Sequence, residues 1–276
     1  VVSGNGGESA GHYTPSPLSS DGRYTFFVAD FNFAGGNQPG SKAFRRDNST
    51  GKIVFVSRAN GVNGASSGDV DELSTDATGN LLAFNTETPL LPADTDNKAD
   101  VYLRNIATNT TTLLTPETTT GSAYSSELSS DGQYLVFATD QALVPSDTNG
   151  KSDIYRRKIS DGTLDLISQN NLGDAGDNNS YQASISGDGK WVAFSSTASD
   201  LVVGYVKNNS PSDADIFVRD MSIGKNRLVS SKFNSTLQGG DADSNSPDIA
   251  GTPDLLSDVQ VAFSSYSGNL ADNFVV

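Results

Sequence analysis

The chain has 276 residues, 35% of them hydrophobic, no cysteine, and a formal net charge of −15 from 33 acidic against 18 basic side chains. Such a field repels phosphate backbones and anionic lipid, which excludes nucleic acid and membrane surfaces as favoured partners and leaves cations and basic protein surfaces. No stretch approaches the length of a membrane-spanning helix, and the missing cysteines exclude disulfides, thiolate metal sites and cysteine nucleophiles.

Short strands follow one another as a repeat. The first copy reads Ser16-Pro17-Leu18-Ser19, an Asp21-Gly22 turn, Tyr24-Thr25-Phe26-Phe27, and Phe44-Arg45-Arg46. The second reads Asp71-Glu72-Leu73-Ser74, then Leu81-Leu82-Ala83-Phe84 and Tyr102-Leu103-Arg104; the third reads Ser126 to Ser129, Tyr134 to Phe137, Tyr155-Arg156-Arg157 and Leu164 to Ser168. The fourth runs through Gln182 to Ser186, Trp191-Val192-Ala193-Phe194 and Phe217-Val218-Arg219, and the fifth through Ser246 to Ala250, Val259 to Phe263 and Phe274-Val275-Val276. Each run has strand-like alternation or β-branched and aromatic content, and Asp-Gly pairs mark the hairpins.

The spacing is as informative as the letters. Phe44 to Ser57, Tyr102 to Thr115, Tyr155 to Ser168 and Phe217 to Ser230 are each 13 residues, the mark of one hairpin copied in fixed register. The segment before that hairpin varies from 17 residues (Phe27 to Phe44) to 23 (Phe194 to Phe217), as expected of a surface loop. Four strands per unit of roughly 55 residues, with no helical period, are the signature of a β-propeller. The fifth copy stops inside its third strand, while Val1-Val2-Ser3 reads like the fourth strand at Leu228-Val229-Ser230. The expectation is therefore an all-β, single-domain protein over 1–276. It would be a five-bladed β-propeller of four-stranded antiparallel blades, the last formed from roughly 246–276 and closed by the N-terminal strand 1–3 so that no sheet edge stays open. Val1-Val2-Ser3 does not read as the start of a signal peptide, so any targeting segment is expected to be absent or removed.

Ser-x-Asp-Gly-x-Tyr/Trp-x-x-Phe followed by Asp-Ile-Phe/Tyr-x-Arg, clearest at Ser130 to Ser168 and Gly187 to Ser230, resembles the repeats of the TolB-like β-propeller family, WD-type relatives of bacterial periplasmic and surface proteins. The first copy departs from the pattern with Lys42 in place of the aspartate, the second with Asp76-Ala77-Thr78-Gly79, and the fifth with an insertion at 252–258. The resemblance implies a propeller in a periplasmic or extracellular setting; it carries no ligand with it.

Candidate chemistry is sparse. His12 is the only histidine, and the strings Gly7-Glu8-Ser9-Ala10-Gly11 and Gly64-Ala65-Ser66-Ser67-Gly68 lack the strand-to-helix context of a nucleophile elbow. At one position of the innermost strands stand Pro17, Glu72, Glu127, Ser184 and Asp248. Glu72, Glu127 and Asp248 could act as a glycosidase-like acid/base set near the ring axis, or bond the neighbouring blade. Asp94, Asp96 and Asp100 recur as Asp147, Asn149 and Asp153, with Asp241, Asp243 and Asn245 in a further loop. Calcium is the candidate cation for such alternating oxygens; the favoured reading is that these side chains hold their own turns. Arg46, Arg104, Arg157 and Arg219 follow the strand aromatic by two residues, and Asp100, Asp153 and Asp215 precede it by two, which suggests a charge pair across the ring. Tyr13, Tyr124 and Tyr181 are expected in the loops entering the innermost strands, clustered at one mouth where aromatics grip peptides or sugars.

Together these features favour a non-enzymatic, extracytoplasmic binding or structural module that meets a protein or glycan partner at one face, with no certain cofactor. The alternatives are a glycan-processing enzyme using the inner-strand carboxylates, and a domain or subunit of a larger surface assembly. The sequence leaves the oligomeric state open.

Overall fold

The computed structural model describes residues 17–30, 40–115, 121–250 and 259–270, so Tyr13, His12 and the two chain ends on which the closure of the fifth copy depends lie outside the described residues. Among the described residues seventeen strands run in chain order. The first sheet holds β1 (Tyr24–Asp30), β2 (Ser41–Asp47) and β3 (Ile53–Phe55). The second holds β4 (Leu73–Thr75), β5 (Leu81–Thr86), β6 (Asp100–Asn105) and β7 (Thr110–Leu113). The third holds β8 (Ala123–Leu128), β9 (Tyr134–Thr139), β10 (Asp153–Lys158) and β11 (Leu164–Leu166). The fourth holds β12 (Ser180–Ile185), β13 (Trp191–Ser196), β14 (Asp215–Asp220) and β15 (Lys225–Leu228). A fifth pairs β16 (Ser244–Ala250) with β17 (Gln260–Ser265). Every named strand pair is antiparallel, and each sheet is a meander of consecutive strands.

The same residues set the register each time. Phe27 faces Phe44, Phe84 faces Tyr102, Phe137 faces Tyr155 and Phe194 faces Phe217, with ring centroids 5.7, 5.9, 6.1 and 6.0 Å apart. Such offset aromatic pairs add to the area they bury. Between consecutive sheets lies the core: Phe26, Leu73, Phe84 and Tyr102 between the first two, Leu103, Leu128, Phe137 and Tyr155 between the next, and Ile154, Ile185, Phe194 and Phe217 between the third and fourth. A smaller cluster of Trp191, Ala193, Val218 and Ile249 joins the fourth sheet to the fifth.

The constant 13-residue interval has a hydrogen-bond cause. Ser57 Oγ accepts Ala43 N, Thr115 Oγ1 accepts Val101 N, Ser168 Oγ accepts Ile154 N and Ser230 Oγ accepts Ile216 N, at 3.0, 3.2, 2.9 and 2.9 Å. Three of these hydroxyls also donate to the aspartate two residues before the aromatic: Thr115 to Asp100, Ser168 to Asp153 at 2.5 Å and Ser230 to Asp215 at 2.7 Å. The expected Asp–Arg pair across the ring therefore does not form. Arg104 instead reaches back to the first sheet's loop, donating to Ala59 O and Gly61 O at 3.0 Å each, while Arg219 donates to Asn226 Oδ1. The stacked guanidinium belongs to the residue one step earlier in the strand. Arg45 lies 4.2 Å over Tyr24 and Arg156 4.4 Å over Tyr134. Each also donates to the turn glycine of the following sheet, Gly79 O at 2.9 Å and Gly189 O at 2.5 Å. The physical reason is reach: a residue adjacent in sequence to the ring points to the other strand face, where the next sheet lies.

Those turns are themselves locked. Ser129 Oγ donates to Asp131 Oδ1 at 2.6 Å and accepts Tyr134 N at 3.0 Å, and Ser186 repeats this with Asp188 and Trp191. Gly189 has φ 71°, and a Cβ there would come within 2.3 Å of the Tyr134 ring, so glycine serves both the left-handed turn and the approach of the sheets. Backbone bonds tie turn to turn: Ser20 N to Ala77 O, Ala77 N to Ser130 O and Asp131 N to Gly187 O, at 2.9, 2.7 and 3.0 Å.

Candidate functional site

The first strands of the sheets are the natural place to look, and a bulge marks each of three. Register shifts separate Tyr124 from Glu127, Tyr181 from Ala183 and Asn245 from Asp248, and Ser125, Gln182 and Ser246 take φ of 52°, 44° and 52°. One extra residue bends the strand and re-aims its side chains. Sequence reasoning placed Tyr124 and Tyr181 in loops. They lie instead within β8 and β12, because the strands begin earlier than the apolar pattern indicates and the bulge interrupts its alternation.

The carboxylates on these strands face their neighbours. Glu72 Oε1 accepts Ser125 N at 2.9 Å and its Oε2 accepts Ser126 N at 3.0 Å. Ser74 Oγ accepts Leu128 N at 2.9 Å, Ser184 Oγ accepts Ile249 N at 3.1 Å, and Gln182 Oε1 accepts Ser246 N at 2.8 Å. Glu127 receives Ser184 Oγ at 3.4 Å. Burial lifts the Glu127 carboxyl to about 7, with Asp248 adding to the rise and bonds from Ser184 and the Ile185 amide opposing it. A side chain from one sheet thus satisfies backbone donors of the next, again and again. Asp248 is exposed.

The aspartate loops are also built into the protein. Asp94 Oδ2 accepts the Tyr102 hydroxyl and Asp147 Oδ2 that of Tyr155; burial and the neighbouring carboxylate hold both phenols well above their usual range. In the fourth sheet Phe217 has no hydroxyl, and Tyr205, packed edge-on against it at 5.4 Å, donates to Asp215 Oδ2 at 2.6 Å instead. Asp94, Asp96 and Asp100 bring carboxylate oxygens within 4.8 Å of one another. In the equivalent loop Asn149 Nδ2 donates to Asp153 Oδ2 at 2.8 Å and to Gly176 O at 2.7 Å, and burial raises Asp153 to about 6. In the further loop, Asp243 Oδ1 accepts Ala214 N at 2.7 Å and Oδ2 accepts Asn245 Nδ2 at 3.1 Å. Lys42, where the first sheet lacks the aspartate, is buried and donates to Gly68 O at 2.8 Å.

One cavity of about 420 Å³ opens where three sheets meet. The third sheet contributes Tyr124 and Ser125, the fourth Tyr181 and Gln182, and Asp243 and Asn245 precede and begin β16. Of the three tyrosines, Tyr124 and Tyr181 line this cavity and Tyr13 lies outside the described residues, while Glu72, Glu127 and Asp248 do not line it. Sequence reasoning missed Gln182 as a site residue and read Asp243 and Asn245 only as turn or calcium oxygens; the left-handed backbone at Gln182 leaves no mark in a hydrophobic pattern.

No protein-family model and no curated protein sequence matches the chain. Among solved structures it is similar to TolB from Acinetobacter baumannii, at 14% identity over 91% of this chain and 51% of that one, with a TM-score of 0.49. It is also similar to the tricorn protease (14% identity, 74% of this chain, 17% of that one, TM-score 0.47). A third is an oligogalacturonate lyase in complex with manganese (14%, 78% and 52%, TM-score 0.46). The chain spans about half the length of the TolB and lyase chains. The chain's own described residues form an all-β architecture in which three of the five antiparallel sheets are four-stranded.

Proposed function

We propose that this chain is a non-enzymatic binding module: a five-bladed, TolB-like β-propeller that acts outside the cytoplasm and holds a protein or glycan partner at one face. The observation that carries the reading is the cavity shared by three consecutive sheets, walled by equivalent bulge residues Ser125 and Gln182 and by Tyr124 and Tyr181. Mixed aromatic and polar walls of this size are how proteins hold small ligands or a partner's side chains. The inner-strand acids support binding over catalysis, because Glu72 is spent on Ser125 N and Ser126 N and Glu127 on the fourth sheet. The ring rests on the consecutive packing of sheets one to five. The absence of cysteine suits the periplasm or cell exterior.

Three experiments test this. A bound oligosaccharide or peptide should be recovered unchanged after long incubation; product formation that disappears in Glu127→Gln would make the protein an enzyme. For the ring, the double variant Val2→Cys/Val275→Cys should close a disulfide under mild oxidation, since the native chain supplies no competing thiol. Failure to cross-link would break the five-bladed closure. Cell fractionation with an antibody checks the compartment.

A further inference from the structure

The cavity's chemistry narrows what it takes, if the binding-module reading above holds. Its single carboxylate, Asp243, has both oxygens engaged by Ala214 N and Asn245 Nδ2, and neither lysine nor arginine lines the walls. With one carboxylate, already held by two neutral N–H donors, and no cation to pair with an anion, the site disfavours acidic ligands inside a chain of net charge −15. What it does offer is neutral: among the described residues the Ser125 and Tyr181 hydroxyls and the Gln182 Nε2 have no partner, since Ser125 and Gln182 are engaged through Ser125 N and Gln182 Oε1 and Tyr181 through its carbonyl. Beside these donors lie the half-buried Tyr181 and Tyr124 side chains, Tyr124 anchored by its hydroxyl to Ser152.

An extended peptide has a poorer fit. Peptides that add to a sheet edge need a run of free backbone donors. Here the bulge donors are already taken, Ser125 N and Ser126 N by Glu72 and Ser246 N by Gln182. We infer that the cavity between the third, fourth and fifth sheets is a subsite for one unit of a neutral carbohydrate, its C–H face against Tyr181 and its hydroxyls bonded by Gln182, Ser125 and the Tyr181 hydroxyl. A sugar hydroxyl both donates and accepts, so it satisfies hydroxyl and amide groups with no charge to desolvate.

The test uses the full chain against an array of neutral oligosaccharides (malto-, cello-, manno- and chito-oligomers), with oligogalacturonates and an uncharged peptide library alongside. A neutral oligosaccharide is expected to be retained and, by calorimetry, to bind about tenfold more weakly to Tyr181→Ala and several-fold more weakly to Gln182→Ala. Gln182→Ala also gives up the Oε1 acceptor for Ser246 N, whereas Gln182→Glu keeps an acceptor there and removes only the Nε2 donor. Weaker binding by Gln182→Glu at an unchanged melting temperature therefore separates lost binding from lost folding. Retention of an acidic oligosaccharide or a peptide in preference, with loss on Gln182→Ala, overturns the carbohydrate assignment and leaves the binding reading standing. If nothing in either library binds in a way that depends on Tyr181 or Gln182, both fall.

Discussion

The loops 94–100 and 147–153 hold equivalent places in the second and third sheets and differ at three residues, Asp96/Asn149, Asn97/Gly150 and Ala99/Ser152, of which the first changes one side-chain atom beside the aspartates. Asp96 Oδ1 accepts Lys98 N at 2.8 Å, and Asn149 Oδ1 accepts Lys151 N at 2.7 Å. The remaining atom is an N–H donor in Asn149, bonded to Asp153, and a carboxylate oxygen in Asp96, gathered with those of Asp94 and Asp100. The fourth sheet sides with the third: Asn209 Nδ2 donates to Asp215 Oδ2 at 3.0 Å. Equivalent loops therefore carry either a hydrogen bond or a like-charge contact at the same point. The bond from the amide two residues on is made by the other side-chain oxygen in both loops, while Gly150 takes a φ of 64° that Asn97 does not share.

The comparison can be broken most forcefully at the tyrosines. Asp147 is 4% exposed, and its Oδ1 has no partner, whereas Asp94 Oδ1 keeps Asp96 N at 3.3 Å. Tyr155→Phe strips the last bond from a buried carboxylate and should cost about 3 kcal/mol in urea unfolding, with Tyr102→Phe costing clearly less. Equal losses would mean that the two loops are not energetically distinct.

Titration comes next. Asp153 and Glu127 are raised to about 6 and about 7 from 3.8 and 4.5, so the folded state binds these protons more tightly than the unfolded chain. Their contribution is complete below about pH 4 and is lost as pH climbs through 6 and 7, on the order of 3 kcal/mol for each group. Melting temperature should therefore fall between pH 4.5 and 8. Glu127→Gln, which keeps an acceptor for Ser184, should flatten the upper part of that curve; an unchanged profile would remove Glu127 as its source.

Exchanging the single atom is a smaller and more pointed change. Asn149→Asp should destabilise by about 1–2 kcal/mol at pH 8 by setting two carboxylates against each other, and Asp96→Asn should stabilise by about 1 kcal/mol by installing the amide bond of its siblings. Both effects should shrink at pH 4; the same sign for the two variants would refute the equivalence of the loops. The smallest expected effect is that of a chelator. If the side chains hold these turns by themselves, EDTA and millimolar calcium should leave the melting temperature alike, and a rise with calcium that Asp96→Asn abolishes would show a cation at the three carboxylates.

Much of the strand order was legible because it depends on local letters. The aromatic opposite the aromatic and the hydroxyl 13 residues on are both visible in the sequence, and the structure shows them bonded in each of the first four sheets. Even the departure in the second copy keeps its function. Asp76 stands where Ser129 stands and Thr78 where Asp131 stands, and the bond survives the swap as Thr78 Oγ1 donating to Asp76 Oδ2 at 2.5 Å, with Leu81 N on Asp76 Oδ1 at 2.8 Å. The role of the arginines was not legible. Asp-x-aromatic-x-Arg places both charges on one strand face, but face says nothing of whether a serine on the adjoining strand lies nearer to the aspartate.

The sequence by itself determined the order of the strands, the hairpin register opposite each aromatic and the turns, but not the bulged first strands. The former follow from side-chain alternation and from hydrogen bonds between residues close along the chain. Tertiary structure alone decided which groups meet across sheets. Glu72 closes on Ser125 N and Ser126 N, Arg156 on Gly189 O, and Gln182 on Ser246 N while its amide faces the cavity. Those partners lie 33 to 64 residues away, and what joins them is the packing of one sheet on the next, which no local pattern encodes.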